Sequence, residues 1–176
     1  FQTFSVLSGN ENGFFTVEPE TGKLTIARTG LDFETQDTYR ITVQCLDSGL
    51  PVRLSDTAML TIIVDDINEP PNIDAANRAV AENSSPGTLV GAAIVASDAD
   101  AGDNGRFTFS LDTTDAPPFV IDAVTGQLTV KAGAALDFEG TSKYHLSVTA
   151  TDGGSPALSG TATIVVSLTD VNEPPT

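Results

Sequence analysis

The chain has 176 residues, 40% of them hydrophobic, and 24 acidic against 8 basic side chains give a formal charge of −16. That hydrophobic content predicts a folded protein, and the negative charge argues against nucleic acid and anionic membranes as partners. No apolar run approaches the ~18 residues of a membrane span, no signal-peptide pattern is legible in these residues, and the lone Cys45 provides no disulfide framework.

Turn residues recur and apolar residues alternate with period two, so strands are expected and long helices are not. In chain order the first elements are Phe4-Ser5-Val6, a hairpin around Thr21-Gly22, the motif Leu31-Asp32-Phe33-Glu34, and the alternating run Tyr39–Cys45. Cys45 is expected to be a small buried core residue of that run. Asp47-Ser48-Gly49-Leu50-Pro51 reads as a turn, and Asp66-Ile67-Asn68-Glu69-Pro70-Pro71 follows. Proline cannot donate to a ladder, so Pro70-Pro71 marks a boundary between domains 1–71 and 72–176.

Beyond it, strands are expected near 78–81, 88–95, 106–111, 118–121, 127–130, 143–151 and 158–168. Thr125-Gly126 is expected to turn a hairpin. Tyr144, Leu146, Val148 and Ala150 fall on one strand face, as do Ala162, Ile164, Val166 and Leu168. The three motifs of the first half return: Leu136-Asp137-Phe138-Glu139, Asp152-Gly153-Gly154-Ser155-Pro156 and Asp170-Val171-Asn172-Glu173-Pro174-Pro175. Leu31 to Leu136 is a shift of 105, and Asp66 to Asp170 a shift of 104. The chain is therefore a tandem repeat. Phe1 aligns with Arg106, so residues 72–105 have no counterpart in the first copy. The first domain is expected to be truncated, lacking two of seven strands. The fold class expected is all-β: two tandem seven-strand immunoglobulin-like sandwiches, the first without its N-terminal strands.

The ordered set Ala81-Glu82-Asn83, Asp98-Ala99-Asp100-Ala101-Gly102-Asp103-Asn104, Leu136-Asp137-Phe138-Glu139, Asp152 and Asp170-Val171-Asn172-Glu173 resembles the signature of cadherin repeats across essentially the whole chain. The resemblance implies Greek-key sandwiches and Ca²⁺ between consecutive repeats. Calcium takes hard oxygen ligands, which carboxylates and backbone carbonyls supply. His145 has no His or Cys partner, so zinc is a poor candidate. By the resemblance, the ions nearer the first domain would use Asp32, Glu34, Asp66, Glu69, the Ile67 carbonyl and Asp100. A further ion would use Asn68, the Pro70 carbonyl, Asp98, Asp100, the Asn104 carbonyl and Asp152. Glu82, Asp137, Glu139, Asp170, Asn172 and Glu173 would form half of a second junction.

The sequence departs from the family pattern. Glu69 and Pro70 stand where the usual motif has Asp and Asn, Phe33 and Phe138 replace an Arg, and the first copy has no equivalent of Glu82. The resemblance implies a calcium-dependent adhesion or recognition segment of a cell-surface ectodomain. It would lie outside the cell, and only a distant anchor would join it to the membrane. Its partners would be flanking repeats and other cadherin ectodomains. The chain has no Trp, which fits protocadherin-, Fat- or Dachsous-like arrays rather than a strand-exchanging tip. Alternatives are a spacer that presents a distal binding domain, or a carbohydrate-active module, which the 6% aromatic content disfavours. No catalytic constellation is legible. Asn83-Ser84-Ser85 is a glycosylation sequon.

Overall fold

A computed structural model describes residues 1–100, 106–114 and 117–174. The described residues contain strands and turns but no helix, so none is long and apolar enough to cross a membrane. They divide into two compact units, Phe1–Ile67 and Asn68–Thr176.

The first unit contains β1 (Gln2–Ser8), β2 (Phe15–Val17), β3 (Leu24–Ile26), β4 (Thr38–Asp47) and β5 (Ser55–Ile63). One sheet runs β1-β4-β5, antiparallel throughout, and β2-β3 forms a hairpin. Alternation in β4 turns Tyr39, Ile41 and Val43 inward, where they pack with Phe14, Phe15 and Val17. The Tyr39 ring meets Phe14 and Phe15 edge-on at 5.7 and 5.3 Å, the arrangement that aromatic quadrupoles favour. Cys45 is half-buried rather than buried. The Phe4 and Ala58 side chains beside it leave a shallow cavity of about 110 Å³.

The second unit contains β6 (Asn72–Ile73), β7 (Ala76–Ala81), β8 (Ala96–Ser97), β9 (Thr108–Leu111), β10 (Phe119–Ile121), β11 (Leu128–Val130), β12 (Lys143–Thr151) and β13 (Ser159–Thr169). Its main sheet runs β7-β13-β12-β9, with β7 parallel to β13 and the other pairs antiparallel. β10-β11 and β6-β8 are two-stranded. The inward faces expected for β12 and β13 are largely the observed ones: Leu146, Val148, Ala150, Ile164, Val166 and Leu168 are buried, whereas Tyr144 and Ala162 are half-buried. They meet Val80, Val90, Ile94, Phe109, Phe119, Leu128 and Val130 from the rest of the unit.

The strand expected over 88–95 is not regular. Leu89 makes one isolated bridge to Thr129, and Val90 and Ile94 donate to the Leu128 and Gly126 carbonyls. Gly87 and Gly91 take φ of 85° and 64°, which bends the segment out of an extended ladder. The hairpins form as expected. Gly22 and Gly126 hold φ of 72° and 68° in equivalent turns. A Cβ at Gly126 would also overlap the Ile94 carbonyl oxygen.

Candidate metal centre

Pairing of β6 with β8 in the register Asn72↔Ser97 determines what lies at one end of the second unit. It places Asn68 and Glu69, just before β6, beside Asp98 and Asp100, just after β8. β12 ends at Thr151, so Asp152 follows at the same end. Asp152 Oδ1 accepts from the Gly154 and Leu158 amides at 3.0 and 2.9 Å. Its Oδ2 accepts from Asn68 Nδ2 at 2.9 Å. Burial pushes the Asp152 carboxyl up, but the Leu158 amide, the Asn68 carboxamide and the Gly154 amide together hold it below the usual value. Asp98 Oδ1 accepts the Asp100 amide at 3.2 Å, and Asp100 Oδ2 accepts the Glu69 amide at 2.9 Å.

Those bonds leave one oxygen on each of three side chains. Asn68 Oδ1, Asp98 Oδ2 and Asp100 Oδ1 are buried and have no hydrogen-bond partner among the described residues. A buried acceptor without a donor costs about 1–3 kcal/mol, and more when charged. Three such acceptors at one end of the unit, two on carboxylates, suit a hard cation that takes oxygen ligands. The donor set therefore fits calcium. The Glu69 and Asp100 carboxylates also approach within 4.8 Å of each other. Asn104 lies outside the described residues.

At the other end of this unit, Glu82, Asp137 and Glu139 bring carboxylate oxygens within 4.8 Å of one another. Glu82 is buried. Its two oxygens accept the Phe138 and Val171 amides at 2.8 and 2.7 Å, which ties both acidic motifs to the end of β7. Glu173 accepts from Asn83 Nδ2 at 2.6 Å. The Glu139 carboxyl is pulled down by its own backbone amide. Desolvation and the Glu82, Asp170 and Glu173 charges raise it by more, so the net direction is up. Asn172 is exposed.

In the first unit, Asp32 accepts the Thr35 hydroxyl and the Thr35 and Glu34 amides, which hold its carboxyl below the usual range. Glu34 and Asp66 carboxylates come within 4.8 Å of each other. The Glu34 backbone amide lowers its carboxyl, but desolvation, Asp32 and Asp66 raise it to a net upward shift. Asp47, the counterpart of Asp152, accepts the Leu54 and Gly49 amides and is lowered by them. Ile67 is exposed.

Two contributors escaped the sequence reading. The Pro156 carbonyl accepts a second hydrogen from Asn68 Nδ2 at 3.1 Å. A Cβ at Gly154 would overlap the Asn68 carboxamide, so that glycine keeps Asn68 in place. The motif identified the turn, but a turn signal does not say which side chain fills the space beside its glycine.

A family model for the cadherin domain matches residues 2–65 and 77–169. Human "Protocadherin Fat 1" is 36% identical over 97% of this chain, which spans 4% of that protein. Human "Cadherin EGF LAG seven-pass G-type receptor 3" is 37% identical over 97% of this chain and 5% of its own length. The structure of mouse cadherin-23 EC22-24 superposes with a TM-score of 0.72 at 31% identity, covering 97% of this chain and 53% of that one. These relatives are adhesion ectodomains of a non-enzymatic family whose repeats are immunoglobulin-like sandwiches. With both halves matched by the family model and relatives above 30% identity across nearly its full length, the chain belongs to the cadherin family as two tandem repeats.

Proposed function

We propose that this chain is a calcium-dependent adhesion or recognition segment of an extracellular cadherin array. The observation that carries the calcium reading is the trio of buried oxygens without donors on Asn68, Asp98 and Asp100. Calcium would supply a divalent positive charge to those oxygens and to Asp152, with the Pro70 and Asn104 carbonyls completing the set. Residues 1–71 and 72–176 would act as successive repeats. Asp32, Glu34, Asp66, the Ile67 carbonyl and Glu69 would join Asp100 around further ions and stiffen the array into a rod. Glu82, Asp137, Glu139, Asp170, Asn172 and Glu173 would serve the next junction. Other cadherin ectodomains would be the partners, contacted through a rod attached to the membrane elsewhere in the protein.

Calcium titration of the chain followed by calorimetry tests the metal reading. Affinity on the order of 10⁻⁴–10⁻³ M is expected, as for extracellular modules. Asp100→Asn should weaken it at least about tenfold, because a buried charge-assisted ligand is lost. Unchanged binding in that variant, or a melting temperature indifferent to chelator, would overturn the assignment. Bead aggregation with and without calcium, using the protein's complete ectodomain, tests adhesion separately.

A further inference from the structure

The second repeat presents apolar side chains on the outer face of its β10–β11 hairpin. Period two buries Phe119, Leu128 and Val130 and turns the paired residues Val120 and Thr129 outward. Leu89 bridges Thr129 from the other side, and Val90 next to it is buried. A row Val120–Thr129–Leu89 therefore crosses β10, β11 and the segment beside them. Leu89 is 63% exposed and Val120 42%. This is a paired surface and not an open edge, because the Val90 amide bonds to the Leu128 carbonyl and the Val130 amide to the Thr88 carbonyl. Nor does the hairpin require it: Phe15↔Ile26 and Phe119↔Val130 align the two hairpins, and the first repeat has Thr16 where the second has Val120.

Charges of opposite sign flank the row. At one end the Lys131 amide bonds to the Pro118 carbonyl, so the alternation continues and Lys131 faces outward, exposed. At the other end the Asp122 amide bonds to the Gln127 carbonyl. Gln127 Nε2 reaches across to the Gly91 carbonyl at 3.1 Å, which closes that side of the row. The bonds that Asp122 accepts from Val124 and Thr125 all go to Oδ1, which leaves Oδ2 open to a partner. One base and one acid make this face neutral on a chain of −16.

Resting on the recognition reading above, we propose that this face packs against the same face of a second copy of the chain. The two copies lie antiparallel about a two-fold axis that runs across the strands. The apolar rows meet at the axis, and the rotation brings Lys131 of each copy to Asp122 of the other. These two residues stand on neighbouring strands, a lateral step of about 4.8 Å that the lysine stem spans. An isologous contact must be complementary to itself. A face with opposite charges at opposite ends of an apolar row meets that condition. Charge also favours this face for a second copy, because two chains of −16 repel and a neutral face adds no like charge. The apolar area is small, so the contact is weak, with a Kd on the order of 1 mM. Arrays that present many repeats multiply such contacts.

Sedimentation equilibrium of the full chain in calcium, loaded to concentrations on the order of 1 mM, tests the contact. A monomer–dimer equilibrium is expected. Leu89→Asp and Lys131→Glu should each weaken it at least about tenfold. Asp122→Lys should do the same, and mixing that variant with Lys131→Glu should restore the dimer, because both charge pairs are then of opposite sign again. Asp122 also closes the hairpin turn; if its variant unfolds, Leu89→Asp and Lys131→Glu, at exposed positions, still decide. A chain that stays monomeric at that concentration, or that dimerises equally well as Leu89→Asp, overturns the proposal. Bead aggregation with the complete ectodomain separates the contact from adhesion itself. Aggregation that Leu89→Asp leaves unchanged overturns the face and leaves adhesion standing. A dimer lost in Leu89→Asp, with no aggregation of wild-type beads, supports the face and removes adhesion.

Discussion

Asn68 uses the two ends of its carboxamide differently. The nitrogen donates to Asp152 and to the Pro156 carbonyl, while the oxygen is buried without a donor. Simple charge counting says that Asn68→Asp should tighten calcium binding. The geometry says the opposite, because the variant sets a carboxylate against Asp152 and removes both donor hydrogens. Calcium affinity is expected to fall about tenfold, measured by isothermal titration. Gly154→Ala should also weaken binding by displacing Asn68, and more than Gly153→Ala does in the same titration. Two carboxyls give opposite pH dependences. Asp122 accepts the Thr125 amide and hydroxyl and the Val124 amide, so its folded pKa lies below the ordinary 3.8. Its stabilisation is complete above the unfolded value and is lost as pH falls through the folded one. Glu139 is raised above 4.5, so the folded state loses stability as pH climbs from the unfolded value through the folded one. In chelator, Asp122→Asn should flatten the acid side of a melting-temperature profile, and Glu139→Gln the side above 4.5.

The equivalent strands β5 and β13, matched by Tyr39↔Ile62 in one repeat and Tyr144↔Val166 in the other, differ in how far their side chains are enclosed. Ile164→Ala removes a side chain that is fully enclosed and should cost about 2–5 kcal/mol in urea unfolding. Leu60→Ala, at the aligned position, should cost under about 1 kcal/mol, because much of that side chain already faces solvent. Long alternating runs were legible from sequence: β12 and β13 fall within a residue of expectation because period two persists over whole strands. The 88–95 segment departs from the expected strand because its apolar residues suit one while Gly87 and Gly91 impose bends that composition does not locate. β6 and β8, two residues each, carry no periodicity to detect. At the candidate metal centre, motif order names the residue types that the calcium proposal uses. Which oxygen remains free depends on amides brought from elsewhere, as when Phe138 and Val171 both donate to Glu82.

Across the molecule, 24 acids against 8 bases leave repulsion that cation binding or screening relieves. In chelator, raising sodium chloride from low concentration should raise the melting temperature by a few degrees, and the increment should shrink once calcium is present. The parallel β7–β13 pair carries a mechanical consequence. β7 lies toward the start of the second repeat and β13 toward its end, and the two run in the same direction. Tension applied through the ends of that repeat therefore pulls the strands along their axes in opposite senses. The ladder from Ala76↔Ile164 to Ala81↔Thr169 is loaded in shear, so its bonds share the load rather than opening one at a time. With handles moved to Ala81 and Thr169, which sit at the same end of the ladder, the same bonds would peel in sequence. Single-molecule pulling should record a markedly lower rupture force in that geometry. The second repeat is thus expected to resist force best along the line that joins its two ends.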